Sequence, residues 1–121
     1  MNSLKLSELS IDVVETPEST FQCTWRGKSY ERNAADTLSA WLDALLATAV
    51  AKGGAIEMHF EDIEHFNAST ITVLVRHIQA CRAQKVKLTM VYNGALNWQS
   101  LSFDALRIFV MRDDLFTLRP A

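Results

Sequence analysis

Four glycines in 121 residues leave this chain without a glycine-rich loop. Neither a dinucleotide-binding nor a P-loop spacing occurs, so the backbone cradles that hold nucleotide phosphates are missing. Only two cysteines are present, Cys23 and Cys81. They lack the spacing of a zinc or redox site, and are expected to be buried thiols in a reducing cytoplasm. A basic surplus is absent: twelve Lys and Arg stand against fourteen Asp and Glu, for a net charge of −2. The basic residues are scattered, which argues against a nucleic-acid surface. No apolar run is long enough to span a bilayer, and the N-terminus lacks the basic start and apolar stretch of a signal peptide. A nucleophile elbow and a convergent acid–base set are also lacking, so an enzyme is not expected. Repeats, low-complexity tracts and linkers are absent as well.

What remains is a chain of ordinary domain size, read as one domain over residues 1–121, with 49% apolar residues to fill a core. The opening third has strand character. Residues 11–15 are one candidate and residues 21–25 the next, with Phe21, Cys23 and Trp25 alternating against Gln22 and Thr24. Pro17 and Glu18 mark a turn between them. Arg26, Gly27 and Lys28 mark a second, leading to Ser29, Tyr30 and Glu31. Asn33 then reads as a helix cap with Asp36 in the first turn. Leu38, Trp41, Leu42, Leu45, Leu46 and Ala49 make one continuous helical stripe, ended by Gly53 and Gly54.

The organising stretch covers residues 56–82. Ile56, Met58 and Phe60 alternate with Glu57, His59 and Glu61 as a strand. A polar connection follows, with His65 in a turn. A helix then carries a stripe of Ile71, Leu74, Val75, Ile78 and Cys81, with His77 at the stripe's edge. Val86, Leu88, Met90 and Tyr92 form a further strand. Strand–helix–strand implies a right-handed parallel crossover. Strands covered on both faces would be almost wholly apolar. Glu57, His59, Lys87 and Thr89 break that pattern, so helices are expected on one face of the sheet only. A loop containing Trp98, a short helix capped by Ser102 and an edge strand over residues 115–118 complete the chain. Trp25 and Trp98 read as closing the ends of the core, with surface anchoring as the alternative.

Chemistry concentrates at Asn67, Ala68, Ser69 and Thr70. Small hydroxyl and amide side chains accept from the free N–H groups of a first helical turn, and a helix start also suits a phosphate. These residues read either as a cap alone or as a phosphoacceptor site, with Glu61, Asp62 and Glu64 nearby to oppose added charge. His59 and His65 flank those acids, so a metal site is conceivable; with His59 on the polar face of its strand and His65 in a turn, none is expected, and no cofactor is implied.

Three pieces carry a resemblance. They are Phe66-Asn67-Ala68-Ser69-Thr70-Ile71 after a strand, the strand over residues 86–92 with its turn, and Trp98-Gln99-Ser100-Leu101 with Leu106, Leu115 and Phe116. Together they resemble the STAS domain, the fold of bacterial anti-sigma factor antagonists, and within it a poorly characterised branch. The likeness covers about half of the chain, and no piece is as specific as a metal or P-loop signature. It implies an α/β, STAS-like fold: a mixed sheet with an N-terminal hairpin and helices packed mainly on one face. It further implies a cytoplasmic partner-switching protein of bacterial transcription control. Such a protein binds a kinase-type anti-sigma factor, or serves as a subunit of another complex, without nucleic acid or membrane insertion; a homodimer is left open. Where the family has Asp-Ser-Ser/Thr-Gly, this chain has Asn67, Ala68, Ser69 and Thr70. Ala68 stands at the usual phosphoacceptor position and has no hydroxyl. Ser69 or Thr70 takes over as acceptor, or the protein binds without switching, or it is an accessory subunit. The partner surface implied is Glu61, Asp62, Glu64, His65, Asn67, Ala68, Ser69 and Thr70.

Overall fold

The computed structural model describes residues 1–30 and 34–121. Strands β1 (Leu4–Leu6), β2 (Leu9–Glu15) and β3 (Thr20–Ser29) open the chain. Helix α1 (Ala34–Lys52), strands β4 (Ala55–His59) and β5 (Ile63–Phe66), helix α2 (Ala68–Ala83) and strand β6 (Leu88–Tyr92) follow. Helix α3 (Asn97–Asp104), a 3-10 turn (Ala105–Phe109) and strand β7 (Phe116–Pro120) end it. The sheet is mixed and runs β1-β2-β3-β4-β6-β7. Its first two pairings are antiparallel, and β4, β6 and β7 are added in parallel.

The strand periodicity sorts residues onto two faces. Ile11, Trp25, Cys23, Met58, Met90 and Leu118 lie in register on the inner face and are buried. Leu38, Leu42 and Leu45 of α1 and Val73, Leu74 and Ile78 of α2 join them in one core. On the other face the register aligns Val14, Gln22, Glu57, Thr89 and Thr117 in one row, and Asp12, Thr24, His59, Val91 and Arg119 in the next. Val91 is the buried member of these rows; the rest are half-buried or exposed. The helix layer is therefore one-sided, as the polar strand positions imply. Trp25 is fully buried among Phe60 and Phe66, which makes it a core residue and not a surface anchor. Burial pushes the Cys23 and Cys81 thiols up to about 12, so both stay protonated and unreactive.

Several elements differ from the sequence reading. The turn expected at residues 26–28 is absent, because β3 runs through it with Gly27 as an irregularity at φ 88°. A side chain there would meet the carbonyl oxygen of Glu8 at 1.8 Å, so only glycine lets β2 and β3 close up. The connection holding His65 is in fact β5, which pairs with the end of β3. In α2 the buried stripe is Thr70, Val73, Leu74, His77, Ile78 and Cys81, while Ile71 and Val75 are only half-buried. Helix α3 begins at Asn97, so Trp98 is helical and Ser102 is interior to the helix, not its cap. The cap expected at Asn33 lies outside the described residues, as does Glu31. The end of α1 agrees with the reading: Gly53 takes φ 59°, and Gly54 N–H reaches back to the Ala49 carbonyl.

Two buried polar side chains stand out. Gln99 is completely buried and joins three segments. Its Nε2 donates to the carbonyls of Phe60 (2.9 Å) and Ile63 (3.1 Å), and its Oε1 accepts from Asn93 N–H (2.8 Å). β4 and β5 lie along the same edge of β3, one after the other, and the jog between them turns its carbonyls inward. The Phe60 carbonyl also accepts from Ile63 N–H at 3.1 Å, so the Gln99 amide is its second donor, and a buried carbonyl left short of donors carries a desolvation penalty. His77 is the second. Its Nε2 lies 3.5 Å from Cys81 Sγ, while Nδ1 is buried without a partner. The protonated thiol donates to Nε2, which leaves Nδ1 as an unsatisfied N–H.

Gln99→Leu is expected to lower stability by about 3 kcal/mol, since it removes three hydrogen bonds of a buried amide and leaves Asn93 N–H without its acceptor. Urea unfolding would measure this, and a change within experimental error would contradict the assignment. Burial lowers the His77 pKa from 6.5 to about 4. Above pH 6.5 both folded and unfolded forms are neutral there, and the group has no effect. As pH falls from 6.5 to 4 the unfolded chain takes up the proton and the folded one does not, so stability drops by about 3 kcal/mol. His77→Phe should flatten that part of the pH profile of unfolding, measured against the parent chain.

Candidate functional site

The start of α2 is built by a small polar knot. Asn67 sits in extended geometry, φ −93° and ψ 174°, and its Oδ1 accepts from Thr70 N–H at 2.9 Å. The Thr70 hydroxyl lies 2.8 Å from the same oxygen and 2.6 Å from Ser29 Oγ. Asn67 Oδ1 can only accept, so Thr70 O–H donates to it, and Ser29 O–H donates in turn to Thr70. Asn67 N–H donates to the Ser29 carbonyl at 2.9 Å. The last residue of β3 and the first turn of α2 are thereby tied together. Ser29 and Thr70 are both buried. Threonine where the resemblance has glycine is thus accounted for: its hydroxyl is a structural bond.

The neighbouring residues face outward. Ala68 and Ser69 are exposed at the first helical turn, and among the described residues Ser69 Oγ has no hydrogen-bond partner. Asp62, Glu64 and His65 are also exposed, so five of the eight residues singled out are accessible, with Asn67 half-buried. Glu61 is placed differently. Its carboxylate lies 3.2 Å from His59 Nδ1, and Glu57 lies 2.5 Å from His59 Nε2. These three occupy the helix-free sheet face, where the ring donates from both nitrogens only as the imidazolium. Glu64 instead lines a cleft of about 380 Å³ with Lys5, Ser7, Glu8 and Lys28. Carboxylates and ammonium groups there are mixed, and no single charge dominates.

Helix α3 adds an apolar flank. Trp98 packs edge-on against Phe66 at 5.7 Å, next to the Asn67 cap, and Phe66 in turn meets Phe60 and Phe103. Trp98 stays half-buried, with Leu96 exposed at the N-cap and Leu101 exposed on the same short helix. The jog that leads into the site is fixed from beneath by Gln99. Ser29 and Gln99 were not marked by the sequence as site-building residues. A lone glutamine in a short helix carries no signal, because its partners are backbone carbonyls of another segment. Among the described residues no group of three or more His, Cys, Asp or Glu is arranged to hold a metal ion. No described helix is long and apolar enough to cross a membrane.

No protein-family model matches the chain, and no curated protein matches it by sequence. Solved structures do match by fold. A chain of the complex between the diguanylate cyclase SiaD and its activator SiaC from Pseudomonas aeruginosa superposes with a TM-score of 0.68 at 13% identity, each chain covered in full. SiaC of Pseudomonas aeruginosa on its own gives 0.67 at 15% identity, again over 100% of both chains. An anti-sigma factor antagonist from Mycobacterium paratuberculosis gives 0.67 at 14% identity, over 98% of this chain and 92% of that one. At these identities the likeness is one of backbone architecture. The mixed sheet, its one-sided helix layer and the capped central helix are those of the STAS-like fold that anti-sigma factor antagonists share.

Proposed function

We propose that this chain is a non-enzymatic regulatory module that binds a protein partner through the rim around the start of α2. The observation that carries the reading is the pairing of a fixed base with a free surface. Asn67, Thr70 and Ser29 lock the helix start, while Asp62, Glu64, His65, Ala68 and Ser69 near it are exposed. A pre-ordered rim binds without the entropic cost of ordering a loop.

Within this reading Ser69 is the phosphoacceptor and Thr70 is not. The Ser69 hydroxyl is exposed and unengaged, whereas Thr70 Oγ1 is buried in two hydrogen bonds. A phosphate on Ser69 would add roughly −1.5 to −2 charges at a helix N-terminus. The dipole accommodates that charge, so the helix stays intact while the rim turns strongly acidic. A kinase-type anti-sigma factor is the partner the STAS resemblance names. The complex of SiaC with SiaD supports a second partner class, a nucleotide cyclase activated by docking. Ala68 favours a further reading, an accessory subunit that is never phosphorylated.

The test is affinity capture from native cells, followed by titration of the recovered partner and mass spectrometry of the bound and free chain. Ser69→Asp is expected to weaken binding by about tenfold or more through rim charge, and Ser69→Ala to leave it unchanged. Phosphate should appear on Ser69. Equal affinity of parent and Ser69→Asp, with no phosphate, would leave the accessory-subunit reading standing. Phosphate on Thr70 would overturn the site assignment.

A further inference from the structure

The sheet ends at β7, and the register shows which backbone groups that edge leaves unused. Leu88 N–H donates to the Leu115 carbonyl, and Ala121 N–H donates to the Tyr92 carbonyl. With Leu88 paired to Phe116, Met90 to Leu118 and Tyr92 to Pro120, the bonds to β6 are made by Thr117 and Arg119. Phe116 and Leu118 therefore direct their N–H and C=O groups away from the sheet. Pro120 falls in the same outward register, where its missing N–H costs nothing.

Beside this edge runs a groove of about 440 Å³, lined by Arg107, Val110, Met111, Asp114 and Thr117 among others. Val110 is 43% and Met111 55% exposed, and Ile108 nearby is 77% exposed. A lone edge strand with an apolar flank is a template for another strand. The opposite edge differs: β1 is three residues long and carries an exposed Lys5.

We propose that a second copy of this chain adds across β7, antiparallel, on a two-fold axis at Thr117. That centre sets Phe116 of each copy opposite Leu118 of the other, so each pair exchanges both outward bonds. Thr117 then faces itself as a non-hydrogen-bonded pair on the helix-free side, a favourable cross-strand match. Arg119 of one copy lies beside Leu115 and Asp114 of the other. Both Arg119 and Asp114 are exposed and, among the described residues, neither makes an ion pair, so the two charges complement each other across the axis. Pro120 meets Asp114, where φ 57° has already ended the strand, so the missing donor is not called on. The same axis turns the two grooves toward each other, and Val110 and Met111 of each copy cover the other's. A foreign strand would use the backbone groups but not this charge and groove symmetry.

Sedimentation equilibrium of the full chain is expected to give twice 13.6 kDa at high concentration and to dissociate on dilution. Thr117→Cys should form a covalent dimer under mild oxidation, because non-hydrogen-bonded pairs bring their Cα atoms to about 4.5 Å, within the span of a disulfide. Cys23 and Cys81 are buried and stay out of that reaction. Arg119→Cys, which faces Leu115 and not itself, should not cross-link. Thr117→Lys puts like charges on the axis and should weaken the dimer at least tenfold, by a rough estimate, with an unchanged circular dichroism spectrum. A single-copy mass at every soluble concentration overturns the proposal. So does a dimer that cross-links through Arg119→Cys but not through Thr117→Cys. If Thr117→Lys fails to fold, the cysteine pair still decides the question.

Discussion

The buried amide of Gln99 is the interaction on which the rest of this architecture depends. A sheet edge is normally followed by one strand, but here β4 and β5 share the outer edge of β3 with a jog between them. A jog breaks the ladder and leaves carbonyls in the core short of ladder partners. Gln99 takes two of them and uses its own carbonyl to hold the turn after β6. One side chain thereby fixes the placement of β5, the approach of α3 and the entry into α2. A salt bridge could not serve as well, because a buried charge needs far more compensation than an amide.

The polar knot at the start of α2 follows the same logic. A helix N-terminus offers free N–H groups, and a buried one must have them satisfied. Asn67 satisfies one, and Thr70 and Ser29 tie that cap to the last residue of β3. The side chains consumed by this task are those that cannot also meet a partner. What is left at the surface is the alternation of acids, a histidine and a single free serine. Structure and recognition are divided residue by residue within one stretch.

Much of this was legible beforehand. The stripe from Leu38 to Ala49 shows α1 because its period matches one helix face, and the polar positions Glu57, His59 and Thr89 show that one sheet face lacks helices. Asn67 was legible as a cap because its chemistry is local. β5 was not, since Ile63, Glu64, His65 and Phe66 bury only their ends and show no alternation. Gly27 read as a turn because a glycine beside Arg and Lys looks the same whether the chain reverses or merely kinks. Thr70 looked as available as Ser69; their difference lies in Ser29, forty-one positions away in the chain. Contacts of that separation leave no periodic trace, and they are what decide the accessible part of the site.

The mixed order of the sheet has a consequence for how the chain acquires its shape. β1, β2 and β3 pair with immediate neighbours across short turns, so they can associate as soon as they exist. β4, β6 and β7 dock in parallel, and each must wait for a helix to be made and swung across the inner face. Assembly therefore spreads outward from the antiparallel end, with β3 as the first fixed template. Gly27 acts at this early step, because a bulkier residue would hold β2 off before anything else could add. β6 in turn keeps a bare flank until β7 arrives, and an elongating polypeptide passes through a stage in which its most apolar strand is its least protected.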